Sequence, residues 1–368
     1  MTNDIDRLLI ELKDRNPKVR RAAAEALGKL ADERALLPLV EALNDQNQTV
    51  RSAAARALGQ IGDERSINPL MEALRDGTVR VRTAAANALA RLGSLPVEPL
   101  INVLKDSGHY GYEAEAVVLA LGQLWDERAV GPLLATLKDL KDSGHYGYEA
   151  EAVVLALGQL RDERAVGPLL ATLKDGDGRL RRAAVDALVK IGRLAVPQLL
   201  EALGSRNSHL RERTARILGR LGDARAVDAL VKATSDQNRN VRRASVKALG
   251  RFKDPPLQPI IDALSDSDGR VRILAIEMLG KIGNMDEIEQ LSAIFNSDLS
   301  KIRKAVVQAL KRIGDRRAVT LFMDALKDED ATVRRAAVEA LDALDWRPSD
   351  AAQDALYAVA RGDVHRAI

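Results

Sequence analysis

LKDSGHYGYEAEAVVLALGQLWDERAVGPLLATLKD runs from Leu104 to Asp139, and LKDSGHYGYEAEAVVLALGQLRDERAVGPLLATLKD follows at once from Leu140 to Asp175. Across 36 positions the two blocks differ once, Trp125 against Arg161. A chain that doubles such a block in tandem and still folds is built from repeats, because an array adds a unit without rebuilding a single closed core.

Outward from that block the same phrase recurs to both ends. It reads VRRAAAEALGKLADERALLPLVEALND from Val19 and VRSAAARALGQIGDERSINPLMEALRD from Val50, and it returns at Val81, Leu180, Leu210, Val241, Val271, Ile302 and Val333. Outside the doubled block the spacing is 30 or 31 residues, and the AxxALG-like segment occurs eleven times. A fixed period of this size predicts a solenoid. Each period predicts two helices. Val50, Ala53, Ala54, Ala57, Leu58 and Ile61 form one apolar stripe at helical spacing, and Ile67, Leu70, Met71 and Leu74 form the next. Alanine on the first helix lets backbones approach, and leucine on the second fills the remaining volume.

The punctuation agrees with this division. Gly62 and Gly222 follow the first helix, where a left-handed cap favours glycine. Asp63, Asp126, Asp162 and Asp223 are expected N-caps of the second helix. Asn16, Asn47, Thr78, Asp177, Asn207, Asn238, Asp268 and Asp330 are expected N-caps of the first, and Pro17 suits a first helical position. Pro38, Pro69, Pro99, Pro132, Pro168, Pro197 and Pro259 fall inside the second helix, where a bend is expected at each.

The VRRAA…ALG…GDERAV…PL…AL pattern resembles the short HEAT-like repeats of the phycobilisome-lyase type over essentially the whole chain. The aromatic and Thr-Pro-Leu-His signatures of tetratricopeptide and ankyrin repeats are missing. The resemblance implies an all-α, right-handed superhelix of about eleven helical hairpins, with the first helix of each lining the concave side. It also implies a structural ladder that ties the loop of one repeat to the next helix. Its members here are Asp14 and Arg20, Asp45 and Arg51, Asp76 and Arg82, Asp175 and Arg181, Asp236 and Arg242, Asp266 and Arg272, and Asp328 and Arg334, with Arg211 and Arg303 following Ser205 and Ser297. The alternative for these arginines is a ligand-binding row.

We expect one solenoid over residues 1–368: a cap helix (1–13), regular repeats (14–103), the doubled atypical repeats (104–175), regular repeats with a basic concave face (176–344) and a C-terminal cap or connector (345–368). In the last of these, Trp346 and Tyr357 either cover the final repeat or begin a link to further repeats. Ile5, Leu8, Leu9 and Leu12 supply the apolar side of the cap helix.

Composition narrows the function. Aromatics are 3% of the chain, which argues against a deep apolar pocket. There is no cysteine, which excludes disulfides and thiolate metal sites and suits a cytoplasmic protein. No apolar run reaches the roughly 20 residues of a membrane span, so no membrane role is expected. Net charge is only +3, so electrostatics must act through arrangement. The first repeats place a mixed set on the outward face, including Arg21, Glu25, Ser52, Arg56 and Gln60. Later repeats become basic there, with Arg179, Arg182 and Lys190, then Arg213, Arg216 and Arg220, then Arg239, Arg243, Lys247 and Arg251, then Lys281, Lys301, Lys304 and Arg312. Such a stripe suits an acidic protein surface or a phosphate backbone, or is a solvated helix face. Nucleic acid is the weaker partner, because no aromatics are interleaved for stacking.

The doubled block departs from the pattern. Glu113-Ala114 and Glu149-Ala150 replace Val-Arg, and the turn SGHYGY carries His109, Tyr110, His145 and Tyr146. Tyr112, Glu115, Leu119, Tyr148, Glu151 and Leu155 are the candidate contact residues; alternatively the tyrosines fill the gap left by the missing arginines. No catalytic or metal constellation is visible: there is no His-Glu dipeptide, Walker loop, G-x-S-x-G or dinucleotide fingerprint. No cofactor is expected. The sequence thus points to a monomeric, non-enzymatic scaffold that binds a partner protein, with an acidic surface, on the concave face. Phycobilin lyase or chaperone activity, implied only by the resemblance, nucleic-acid binding and a consensus-derived chain without a native partner stand as alternatives.

Overall fold

The structure, a computed structural model, describes residues 2–93, 95–106, 112–144, 147–283, 288–297 and 299–362. Among them every regular element is a helix. The chain forms two compact units, residues 1–198 and 199–368. In unit 1 the first helices of the repeats are α2 (Pro17–Leu30), α4 (Gln48–Ile61), α6 (Val79–Arg91), α8 (Tyr112–Gln123), α10 (Tyr148–Leu160) and α12 (Gly178–Ile191). Each is followed by a second helix: α3 (Leu36–Ala42), α5 (Ile67–Ala73), α7 (Val97–Asp106), α9 (Val130–Asp142), α11 (Val166–Asp175) and α13 (Val196–Leu203), the last spanning the division between units. In unit 2 the first helices are α14 (Ser208–Leu221), α16 (Arg239–Leu249), α18 (Gly269–Ile282), α20 (Ser300–Ile313) and α22 (Ala331–Ala343). Their partners are α15 (Val227–Ala233), α17 (Leu257–Asp262), α19 (Ile288–Ala293) and α21 (Val319–Ala325). α1 (Thr2–Glu11) packs on α2, with Ile5, Leu8 and Leu12 buried. α23 (Ala351–Arg361) packs on α22, and Trp346 meets Tyr357 with ring centroids 5.7 Å apart.

Within each unit the first helices stack directly on one another, and each second helix packs chiefly on the first helix of the following repeat. Glycine near the end of one first helix faces alanine of the next. A Cβ added at Gly59 would lie 2.6 Å from the Ala88 Cα, at Gly158 2.5 Å from that of Ala187, at Gly219 2.6 Å from that of Ala248, and at Gly280 2.7 Å from that of Ala309. In the doubled block Gly122 meets Ala156 in the same way. Backbone therefore rests on backbone along this layer, while Leu39, Leu70, Leu100, Leu133 and Leu169 fill the space beneath it.

The caps fall where the residue types demand them. Asn47, Asn207, Asn238, Asp177, Asp268 and Asp330 each accept a backbone N–H of the helix they start. Thr78 is the exception: its hydroxyl donates to Asp76 Oδ1 at 2.7 Å and leaves the helix end uncapped. Asp63, Asp126, Asp162 and Asp223 cap a one-turn 3-10 helix, which then runs into the second α-helix. Where it is present, that extra turn moves the start of the α-helix closer to the proline. Pro38, Pro69, Pro99, Pro132, Pro168 and Pro259 fall third in their α-helices and Pro197 second, inside the turn whose N–H groups have no α-helical acceptor. Ser52 also departs from expectation. It is buried, not outward, because its short side chain folds back to donate to the Thr49 carbonyl at 3.2 Å.

Candidate functional site

The recurrent arginines hold two loops at once. Arg20 donates through Nη1 to the carbonyl oxygens of Asp14 (2.8 Å) and Arg15 (3.0 Å) in its own repeat. Its Nε and Nη2 donate to the carboxylate of Asp45, 2.6 and 2.9 Å away in the next repeat. The carboxylate partner is thus the aspartate about 25 residues ahead; the one six residues behind supplies only its backbone oxygen. Arg51–Asp76, Arg211–Asp236, Arg242–Asp266 and Arg303–Asp328 repeat the arrangement, with Nε–Oδ2 distances of 2.6–2.7 Å. Each aspartate also accepts the N–H two residues on, as in Asn47 N to Asp45 Oδ1 at 2.8 Å. These groups are half-buried, and the bidentate bonds are charge-assisted. Hydrogen bonds from Arg20 and Arg303 hold the carboxyls of Asp45 and Asp328 below the usual range. At Asp76, Asp236 and Asp266 burial pulls upward, and the arginine and backbone hydrogen bonds outweigh it.

The ladder is interrupted where residue types change. Arg272 takes the carbonyls of Asp266 (2.6 Å) and Ser267 (3.3 Å), but Ser297 stands at the aspartate position of its rung. Arg181 bonds the Gly176 carbonyl, and position 205 is serine. Arg334 takes the Asp328 and Glu329 carbonyls. Buried Arg82 takes the Asp76 carbonyl among its bonds and is not one of the interruptions. Asp175, the last residue of α11, is exposed. In the doubled block Ala114 and Ala150 are buried in the arginine's place.

On the first-helix layer of unit 1, α4, α6 and α8 border a polar hollow of 390 Å³ lined by Arg56, Gln60, Asn87, Arg91 and Gln123. In unit 2 one position on this layer is basic in four successive repeats: Arg220, Arg251, Lys281 and Arg312, all exposed. Cations at helix C-terminal ends meet the negative end of the macrodipole. Yet the same position in unit 1 also holds Gln60, Gln123 and Gln159, so the helix end alone does not demand a charge. Among the described residues Arg251, Lys281 and Arg312 have no carboxylate partner, and Lys247 is exposed beside them. Arg216 pairs with Glu212, and Arg239 reaches Asp268 at 3.4 Å. Arg213 and Arg243 are half-buried, and Arg182 is exposed on α12.

The doubled block contributes unevenly. Glu115, Leu119, Glu151 and Leu155 are half-buried on the first-helix layer. Tyr148 is 69% exposed, so it does not fill the space of the missing arginine. Arg179 lies over its ring, 4.4 Å from the centroid, and reaches Glu151 at 3.7 Å, which withdraws Arg179 from the basic stripe. The Tyr112 side chain, Tyr110, Tyr146, His109, His145 and His365 lie outside the described residues. The turns between first and second helices, by contrast, drew no expectation of a contact surface from the sequence, although Trp125 and Arg161 occupy a cap position that is glycine in Gly62, Gly222, Gly283 and Gly314. That substitution is the signal that marks them.

Residues 5–90, 97–188, 143–203, 196–259, 235–311 and 288–368 match the family of HEAT repeats. The chain belongs to the HEAT-repeat family. This HEAT-repeat chain is 33% identical over 240 residues to the phycocyanobilin lyase subunit alpha of Picosynechococcus sp., covering 63% of this chain and 70% of that protein. Its fold is similar to Kap121p bound to Ste12p (TM-score 0.63, 14% identity, 94% of this chain and 46% of that one) and to Kap121p bound to Nup53p (TM-score 0.62, 14% identity, 99% and 47%). The chain spans about half the length of these karyopherins. Among the described residues no helix is long and apolar enough to cross a membrane, and no group of His, Asp and Glu is placed to hold a metal ion.

Proposed function

We propose that this HEAT-repeat solenoid is a non-enzymatic scaffold that holds another protein against the exposed side of its first helices, with the partner's acidic part along unit 2. The reading takes the chain as a monomer acting in the cytoplasm. The observation that carries it is the column formed by Arg220, Arg251, Lys281 and Arg312, one cation per repeat on a rigid layer. A row of fixed charges of one sign steers an acidic surface and sets its register along the array. In unit 1, half-exposed Leu119 and Leu155 and exposed Tyr148 offer apolar contact area on the first-helix layer of that unit. Solved karyopherins of the same fold, bound to Ste12p and to Nup53p, support a protein as the occupant.

The test begins with proteins recovered with the chain from its source cell. Affinity of the recovered partner is then measured for the parent and for a variant with Arg251→Glu, Lys281→Glu and Arg312→Glu. We expect at least about tenfold weaker binding and a flatter salt dependence in the variant. Equal affinity for the two proteins overturns the reading. A low-salt shift of an oligonucleotide that the variant loses would instead assign the column to nucleic acid.

A second reading rests on the relative named as a phycocyanobilin lyase subunit: handling of a bilin for an acceptor protein. It predicts a change in the visible spectrum of phycocyanobilin on mixing with the chain. An unchanged spectrum removes it.

A further inference from the structure

The turns that join first to second helices in unit 1 carry a feature that folding does not explain. At the end of a first helix the backbone turns left-handed, and Gly62, Gly222, Gly283 and Gly314 take that conformation without strain. Trp125 and Arg161 adopt it with φ of 56° and 52°, as Ala31 and Asp345 do with φ of 50° and 52°, where an L side chain is strained; Trp125 is the largest of the four. The indole gains no core packing in return, being 60% exposed. Leu95 (56% exposed) and Leu194 (52%) project from the corresponding turns of the preceding and following repeats. Arg161 lies over the Trp125 ring, 5.2 Å from its centroid, and lines a shallow depression of 520 Å³ with Arg128, Arg164, Leu194 and the acidic Glu127, Asp162 and Glu163.

The edge is also pre-assembled. Arg128 reaches Glu98 of the preceding repeat at 3.7 Å, and Arg164 Nη2 donates to the Glu127 carbonyl at 3.3 Å. Arg128 and Arg164 spend their guanidinium forks on Asp126 and Asp162. Among the described residues Arg161 has no carboxylate partner. Stacking on an indole face occupies the plane of a guanidinium and leaves its N–H edge able to receive a carboxylate in bidentate fashion.

We propose that this edge is a docking surface, separate from the first-helix face, for a peptide segment of a partner in which an aromatic or aliphatic side chain stands next to a carboxylate. The apolar side chain seats against the Trp125 indole, and the carboxylate takes the Arg161 fork. The surface is confined to unit 1, because the equivalent caps in unit 2 include Gly222, Gly283 and Gly314. It does not depend on the basic column, so either site can fail alone.

The test uses the full chain carrying Trp346→Phe, which leaves Trp125 as its one tryptophan. A phage-displayed library of short peptides is selected on it. We expect the selected peptides to pair a Phe, Trp, Leu or Ile with Asp or Glu, to shift Trp125 emission on titration, and to bind at least about tenfold more weakly after Trp125→Gly or Arg161→Glu. Trp125→Gly restores the glycine cap, so its melting temperature is expected to be no lower than the parent's, and Arg161→Glu gives a second variant with the indole intact. The proposal is overturned if the selected peptides bind both variants as tightly as the parent, if they are basic, or if no recovered peptide perturbs Trp125.

Discussion

Each intact rung of the ladder asks two things of one arginine: to hold the loop behind it through backbone carbonyls and to hold the loop ahead through a carboxylate. Removing Arg242 leaves Asp266 half-buried and unpaired. Arg242→Ala is therefore expected to lower unfolding free energy by about 2–3 kcal/mol in urea titrations. The pH dependence has a definite sign. The ladder carboxyls are depressed in the folded state, so their contribution is fully present above the unfolded value of about 3.9 and is lost as pH falls through the lower folded values. Melting temperature should hold from neutral pH down to about 4 and drop steeply below it. A drop centred near pH 6 would place the linkage elsewhere. Ser297→Asp supplies the carboxylate that the Arg272 rung lacks; a gain of about 0.5–1.5 kcal/mol is expected, and a loss would show that this rung is shaped differently from the other five.

At the scale of the helix, the close approach of first helices rests on residues without side-chain bulk. Gly59→Val places atoms inside the backbone of α6 and is expected to cost about 3 kcal/mol or more, read by thermal or urea unfolding. Gly77→Ala meets nothing within 4 Å and should be neutral or slightly stabilising, so the pair separates packing from glycine content. Helix starts were legible from single residues, since Asn47 or Asp268 satisfies a local N–H whatever the rest of the fold does. The rung geometry was not. In a chain whose Asp45 and Arg51 repeat Asp14 and Arg20 a period later, nothing in the order of residues distinguishes a reach of six back from one of 25 forward. The prolines misled for a related reason, because a 3-10 turn leaves no periodic trace and shifts the start of the helix that follows. Tyr148 and Arg179 were legible as exposed residues but not as partners, since their contact exists only once α10 and α12 are side by side.

At the scale of the whole molecule, an array of nearest-neighbour contacts predicts tolerance of length. Deleting residues 140–175 removes one copy of the doubled block and brings Gly122 opposite the repeat that now meets Gly158. The shortened chain is expected to fold with the same helicity per residue and a single cooperative melt of unit 1, followed by circular dichroism. An aggregated or molten product would show that the second copy makes contacts the first cannot. The family assignment was readable from the recurring phrase alone, whereas the choice of partner was not, because solvent-facing positions carry no periodic constraint.

The pairing of glycine with alanine has a consequence for how such a chain changes over time. The doubled block keeps the plug on one side and the socket on the other, Gly122 fitting Ala156 and Gly158 fitting Ala187, as Gly59 fits Ala88 outside it. A copying error that inserts a whole period therefore creates no misfit at either seam. The duplicate is free to diverge at once wherever it faces water, and the single divergence present, tryptophan to arginine, lies at such a position.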